Sequence, residues 1–364
     1  MKIFGLATQG NGTDDEARLK ALLTRFDAEF LNFDRSHKFH SFFDSLRKIQ
    51  KEKPDLLLLE GTGIGGGLAA LISKWAFGTK YVVSSGDAIA PFVSAIVPAL
   101  GPLFSVYERL LCKNSAGFVG WSPYLAGRAL GFGAKRAMTA AGWSPFHLST
   151  EERSQARLKI RQQFSIPDSD IVVGIVGSLA WNPRVRYAYG AELVRAFKLL
   201  KRRDVRIMIV GDGPGIEKLG AEMSTIAETD LADKSHVVFT GRVPRAEVPS
   251  YLAAMDIASL PQSLDAVGSF RYTTKLSEYL AARLPIITGQ LPLSYDLPGD
   301  WLWRIKGETP WDKTYIQALS DLLERITREE ILKKAQGIPQ HLHEFDEKEQ
   351  IERLTHFLED ILSK

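Results

Sequence analysis

Residues 273–289 read Thr273-Thr274-Lys275-Leu276-Ser277-Glu278-Tyr279-Leu280-Ala281-Ala282-Arg283-Leu284-Pro285-Ile286-Ile287-Thr288-Gly289. A polar turn opens a helix, a carboxylate sits one turn inside it, and a short β-branched strand follows the next loop. Helix N-termini present unpaired backbone N–H groups and a partial positive charge, which together attract phosphate. Lys275 adds a mobile cation at that end. Glu278, one turn deeper, is placed to accept hydrogen bonds from two vicinal hydroxyls, the pattern a ribose offers. A diphosphate beside a ribose is a nucleotide, and a nucleotide-sugar is one common form of it.

Working outward from this unit, apolar strand-like runs recur in the second half at 171–176, 206–210, 236–240, 257–260 and 285–288. Their spacing is that of successive βα units. The first half repeats the pattern at 2–7, 29–33, 55–60, 80–84, 117–121 and 137–141. Helical periodicity lies between these runs, as in Ala17, Leu19, Leu22, Leu23 and Phe26. Strand and helix in alternation predict α/β domains, each a parallel sheet with helices on both faces. Such sheets bind ligands outside the carboxyl ends of their strands. The alternation breaks between 149 and 170, where Glu151-Glu152-Arg153 begins a charged connecting helix that ends in a turn at Ile166-Pro167-Asp168. With 364 residues the chain is long for one core. The expected domains are therefore 1–150 and 151–340, followed by a terminal segment 341–364. In that segment Ile351, Leu354, Phe357, Leu358 and Ile361 share one face of an amphipathic helix that needs a partner surface.

Hydrophobic content of 45% and charged content of 24% are those of a soluble globular protein. The lone cysteine, Cys112, cannot form an internal disulfide and fits a reducing compartment. No secretory signal is visible, because Met1-Lys2 leads into an apolar run that ends at Thr8. A cytoplasmic protein is expected. Residues 1–150 hold 17 Lys and Arg against 12 Asp and Glu, a bias too small for a nucleic-acid-binding surface. Residues 88–107 carry no charge, and their length would suffice for a membrane span. Pro91, Pro98, Pro102 and Gly101 interrupt them, so a transmembrane helix is not expected. A buried helix and loop is the first expectation. The rival is a surface that touches the inner face of a membrane or a lipid-linked acceptor.

Several stretches carry a resemblance to a known family. They are Ile175-Val176-Gly177-Ser178-Leu179, Arg206-Ile207-Met208-Ile209-Val210-Gly211-Asp212-Gly213-Pro214, Val237-Val238-Phe239-Thr240-Gly241-Arg242-Val243 and Lys275-Leu276-x-Glu278-Tyr279-x-Ala281. Together they resemble the donor domain of GT-B glycosyltransferases, particularly retaining family 4. The likeness covers about residues 171–290, and the first half follows by pattern. It implies an α/β, GT-B fold, with two Rossmann-like doubly wound domains facing a central cleft and a last helix that crosses back to the first domain. It also implies transfer of a sugar from a nucleotide-diphosphate sugar to a glycan, lipid-linked or small-molecule acceptor. No metal or other cofactor is implied, and the configuration would be retained by front-face attack, a donor phosphate oxygen taking the acceptor proton.

By the same resemblance, Glu278 holds the donor ribose, and the turn Gly241-Arg242-Val243 lies against the base. Gly10-Asn11-Gly12 approaches the diphosphate, where glycine lets backbone come close to an anion. Thr273, Thr274 and Lys275 complete the phosphate seat. The sequence departs from the family pattern at three places. Phe270 stands eight positions before Glu278 in place of a second glutamate, with Asp265 the nearest acid. Ser178 stands in place of an arginine, for which Arg184 or Arg186 is the candidate substitute. Gly86-Asp87 stands in place of a His-Asp pair, so Asp87 is either an acceptor-side carboxylate or a helix N-cap. Two rival functions share the fold: a nucleotide-sugar epimerase, and a non-catalytic module that binds a nucleotide-sugar or a protein.

Other patterns compete. Gly61-Thr62-Gly63-Ile64-Gly65-Gly66 has the outline of a dinucleotide-binding loop. It follows the third strand of its domain rather than the first, so close helix–strand packing is the plainer expectation. Asp168-Ser169-Asp170 is expected to be a turn with solvated charge. His236, His341 and His343 do not form a convincing cluster, and the pair His341-x-His343 has no cysteine or third histidine nearby in the sequence, so no metal site is expected.

Overall fold

The structure is a computed structural model that describes residues 2–224 and 236–363. Six strands, β1 (Ile3–Ala7), β2 (Ala28–Phe30), β3 (Leu56–Glu60), β4 (Lys80–Ser85), β5 (Gly117–Gly120) and β6 (Ala137–Thr139), form one sheet in the order β2-β1-β3-β4-β5-β6. A second sheet runs β12-β11-β10-β7-β8-β9. Its strands are β7 (Ile171–Val176), β8 (Val205–Val210), β9 (Val237–Phe239), β10 (Ile257–Leu260), β11 (Ile286–Gly289) and β12 (Leu302–Ile305). Every pairing is parallel. The central strands are buried along their length, as at Leu56-Leu57-Leu58-Leu59, because helices cover both faces.

Each sheet anchors one compact unit. The first comprises 1–143, 270–273 and 341–364, and the second comprises 144–269 and 274–340. The helix Glu347–Leu362 belongs to the first unit, where Leu354, Leu358 and Ile361 pack with Ile3, Val82 and Val119. Gln350 is fully buried there and grips Gly142 twice, accepting from its N–H at 2.7 Å and donating to its carbonyl at 2.8 Å.

In the second unit the connecting helix Thr150–Gln163 starts with a capping box between Ser149 and Glu152. Arg161, buried on that helix, donates to Asp256 at 2.7 Å and to the carbonyls of Ala254, Pro167 and Asp170. Arg206 holds the Asp170 carboxylate at 2.6 Å, and that aspartate is buried. The expected solvated pair is thus only half right: Asp168 is exposed and Asp170 is a structural ion-pair partner.

Two expectations need correction. The strand β12 was not anticipated; Trp301, fully buried, immediately precedes it. Residues 88–107 are not a buried helix and loop. They form the helix Ile89–Ile96, a 3-10 turn and the start of the helix Gly101–Asn114. Phe92, Ile96, Leu100, Leu103, Val106 and Leu110 there are exposed. Among the described residues, no helix is long and apolar enough to cross a membrane.

Candidate functional site

In the second unit the chain leaves β7, adds β8 and β9 on one side, and then returns to place β10 on the other. Ligands of doubly wound sheets sit where the order reverses, at the carboxyl ends of the two central strands. Here those ends are Gly177-Ser178 after β7 and Pro261-Gln262 after β10.

Three glycine turns build a floor of bare backbone at this place. Gly177 N–H donates to the Val210 carbonyl at 2.9 Å, and Gly211 N–H donates to the Gly241 carbonyl at 3.1 Å. Gly211 has a φ of +141°, and a Cβ on it would come within 1.9 Å of the Gly177 carbonyl oxygen. No side chain fits between these turns. Gly241, with a φ of +67°, borders open space, and Arg242 beside it is exposed.

The helix Thr274–Ala281 delivers the charged groups. Its Lys275 side chain lies across Gly177: a Cβ there would stand 2.6 Å from Lys275 Cε and 3.3 Å from Nζ. The ammonium also stands 5.9 Å from the centroid of the Tyr189 ring, a favourable cation–π distance. Tyr279, fully buried, accepts from Val176 N–H at 3.1 Å and so ties the helix to the end of β7. Leu276 and Leu280 face the core, leaving Lys275 and Glu278 half-buried on the other side. Lys275, Gly177, Ser178, Gly211 and Gly241 are therefore joined through one chain of contacts. Thr274 is exposed at the head of the helix, and the Thr273 hydroxyl before it is buried without a hydrogen-bond partner.

Arg184 and Arg186 lie in the same unit, between β7 and the helix Ala191–Phe197. Asn182 and Tyr187 bridge to each other as a small hairpin, and both arginines are exposed on its tip. Asp265 spends one carboxylate oxygen on its own loop, accepting from Val267 and Gly268 N–H at 2.9 Å each. Gln262 was missed from the sequence. It is buried at the end of β10, and neither its amide oxygen nor its amide nitrogen has a hydrogen-bond partner. Buried amides without partners are costly, so this one marks a place where a ligand hydroxyl or phosphate oxygen would complete the bonding.

In the first unit, Gly10, Asn11 and Gly12 follow β1, as the sequence suggested, but their donors are already engaged. Gly10 N–H bonds to the Ala7 carbonyl at 3.1 Å, Asn11 N–H to the Phe33 carbonyl at 3.2 Å, and Gly12 N–H to Glu16 at 2.7 Å. Asp14, Asp15 and Glu16 fill the first turn of the helix Asp14–Leu22, which disfavours a second anion there. Asp87 is exposed and ion-paired with Arg271. It does not cap the following helix, whose N-cap position is Ala88. The glycines at 61, 63 and 66 all pack on Thr8, and one at 67 lies under the Tyr107 hydroxyl. Helix packing accounts for that motif.

A buried charge cluster at the same end of the first sheet also escaped the sequence reading. Glu60 ends β3 and accepts from Ser84 at 3.0 Å and from the Trp121 indole at 3.1 Å. Arg18 Nε stands 3.6 Å from its other oxygen, and the guanidinium lies 4.6 Å and 5.5 Å from the Trp121 and Trp143 ring centroids. Burial pushes the Glu60 carboxyl up to about 7 despite that cation, and burial lowers Arg18. The signal was a carboxylate closing an all-leucine strand.

Comparison with known proteins fits this geometry. Over its whole length the chain superposes on Anabaena Alr3699/HepE, crystallised with UDP and glucose, at a TM-score of 0.73 with 15% identity, covering 99% of this chain and 100% of that one. It superposes on sucrose-phosphate synthase from Thermosynechococcus elongatus at 0.69 with 12% identity, both chains being fully covered. The fold, two Rossmann-like sheets with their own helical layers, is therefore GT-B.

Residues 170–324, which make up most of the second unit, match the family of Glycosyl transferases group 1. A stretch of 209 residues is 27% identical to 2-deoxystreptamine glucosyltransferase of Streptomyces kanamyceticus, 55% of this chain and 51% of that protein. Another, of 109 residues, is 33% identical to the GDP-mannose-dependent alpha-(1-6)-phosphatidylinositol monomannoside mannosyltransferase of Mycolicibacterium smegmatis, 29% of this chain and 25% of that protein. The chain thus spans about half the length of one relative and a quarter of the other.

Proposed function

We propose that the protein is a glycosyltransferase that takes a sugar from a nucleotide-diphosphate donor. The observation that carries this is the Lys275 side chain laid over Gly177 at the head of the helix Thr274–Ala281. A helix N-terminus, a cation and bare backbone meet at the switch point of the sheet, which suits the diphosphate of a donor. Glu278, one turn on, would take the ribose hydroxyls, and the Gly241-Arg242-Val243 turn would take the base. Gln262 would read an oxygen of the sugar or phosphate.

The chemical requirement is to stabilise the departing diphosphate, and fixed donors and cations do this. Lys275, Thr273 and Thr274 supply that stabilisation, with Ser178, Arg184 and Arg186 as further candidates. Gly10–Gly12 would contribute once Gly12 N–H is released from Glu16. The reaction proposed is metal-independent and retaining. The acceptor side is assigned to the first unit, with Asp87 as its carboxylate, and the acceptor class is a glycan, a lipid-linked molecule or a small molecule.

The exposed apolar face of residues 89–110 supports contact with a lipid surface. Trp75, exposed, hydrogen-bonds Asn114 at 3.1 Å beside it, and Arg109 and Lys113 are exposed on the same helix. Apolar side chains rimmed by an indole and cations are the composition of a surface that rests on anionic lipid.

The test is nucleotide release from UDP-, GDP-, ADP- and TDP-sugars, paired with thermal-shift binding. Release from one donor is the expected result. Binding without release would favour a non-catalytic module, conversion of the sugar without transfer would favour an epimerase, and no binding to any donor would remove the proposal.

A further inference from the structure

The motif set aside on the sequence, His341-x-His343, acquires a third group in the structure. The chain passes from the second unit to the first between residues 340 and 341, and the two histidines open that segment. Glu349, from the first turn of the helix Glu347–Leu362, reaches back to both. Its carboxylate lies 3.1 Å from His341 Nε2, and 2.8 Å and 2.9 Å from His343 Nδ1. The two rings stand edge to face, with centroids 4.4 Å apart and planes at 89°. One ligand atom from each residue lies within 4.8 Å of the other two.

We propose that His341, His343 and Glu349 bind one divalent transition cation of the zinc type. Two imidazole nitrogens and one carboxylate oxygen are the donor set of such ions; Mg(II) and Ca(II) prefer oxygen alone. Three protein donors leave one tetrahedral position for water. The scaffold holds the donors in place. Asp346 caps the helix by accepting from Glu349 N–H at 2.9 Å, which fixes the backbone that carries the carboxylate. The other oxygen of Asp346 stands 3.9 Å from His341 Nδ1, on the far edge of that ring. A carboxylate there favours the tautomer that leaves the Nε2 lone pair for a metal. On the other side, Phe345 packs against Tyr272 at 6.3 Å and anchors the turn His343–Phe345. A bound ion would clip the loop at 341–343 to the helix that completes the first unit. None of the three ligand residues belongs to the proposed donor seat, so cation binding here is tested independently of the proposed transfer.

The test is a calorimetric titration of the full chain with zinc chloride in phosphate-free buffer, repeated with cobalt chloride while absorption is recorded. One ion per chain is expected, with the visible band of a four-coordinate cobalt site. His343→Ala and Glu349→Gln should each weaken binding by at least about tenfold. His40→Ala removes a histidine paired with Asp44 at 3.0 Å elsewhere in the first unit, and should leave binding unchanged. His343 and His40 are exposed and Glu349 is half-buried, and apo unfolding transitions check that each variant folds. Absence of binding to the wild type, or wild-type affinity in His343→Ala, would overturn the proposal. A second readout is amide exchange, which zinc should slow across 341–349 in the wild type and not in His343→Ala.

Discussion

Tyr279 and Val176 are joined by a hydrogen bond of 3.1 Å, in which the Val176 N–H donates to the buried phenol oxygen. The phenol thereby fixes the helix carrying Lys275 and Glu278 against the last residue of β7. Tyr279→Phe leaves that N–H without its partner and should lower stability by about 1–3 kcal/mol. Denaturant unfolding measures this. Donor affinity should fall as well, because the helix loses its register on the strand. An unchanged unfolding midpoint would show that the bond does not hold the helix.

Gly177→Ala tests the seat of Lys275 without touching the lysine. The added Cβ would meet Lys275 Cε at 2.6 Å, and the flexible end of that side chain can move aside at small cost to the fold. Diphosphate affinity should then fall as it does in Lys275→Met, by about 1.5–3 kcal/mol. Calorimetry with the free nucleoside diphosphate compares the two variants. Full affinity in both would remove the phosphate role.

Glu278 is expected to read the ribose hydroxyls. Glu278→Ala should cost about 1.5–3 kcal/mol with a ribonucleotide donor. It should cost almost nothing more with the 2′,3′-dideoxy analogue, since the lost partners are the same two hydroxyls. The resulting double-mutant cycle isolates the contact. Equal losses with both ligands would mean that Glu278 acts elsewhere.

Glu192 predicts a pH dependence of stability. It is fully buried, accepts from the Tyr187 hydroxyl at 2.8 Å and from Ser259 at 3.1 Å, and burial pushes its carboxyl up to about 7. A carboxyl raised in the folded state holds its proton where the unfolded chain has released it. Its contribution is therefore complete below the unfolded value and is lost as pH rises through about 7. The loss is about 3 kcal/mol by the size of such a shift. Unfolding free energies from pH 5 to pH 8 should fall less steeply in Glu192→Gln than in the wild type. Identical slopes would contradict the assignment.

Leu103 and Val106 are 64% and 58% exposed. Replacing both by Asp should leave the fold intact and reduce co-sedimentation with vesicles rich in anionic lipid several-fold. Equal sedimentation of wild type and variant would remove the lipid contact.

The βα rhythm was legible because strands such as 171–176 and 257–260 are buried on both faces and need unbroken apolar runs. The terminal helix was legible for a related reason, since Leu354, Leu358 and Ile361 repeat at helical spacing. The strand at Leu302–Ile305 was not, because it is only four residues long and Arg304 interrupts its apolar run. At the site, Lys275 and Glu278 could be read because local helix geometry sets them. Arg18 with Glu60, and Gln262 with its empty bonding capacity, could not be read so. Their meaning depends on which strand ends the sheet brings together. Glu349 joined His341 and His343 for the same reason: a carboxylate six and eight residues further on, in the first turn of the next helix, was not a recognised companion of a histidine pair.

The helix Glu347–Leu362 fills the core of the unit that begins at β1. During synthesis, residues 2–143 must wait until that helix has emerged. At about 5–20 residues per second the wait is on the order of 10–40 s. The second unit, from 144 to 340 apart from four residues, can close in the meantime. The nascent first sheet then stands open along the surface that Leu354 and Leu358 will cover. Chaperone dependence and sensitivity to ribosomal pausing should therefore be concentrated in the half of the protein that is made first.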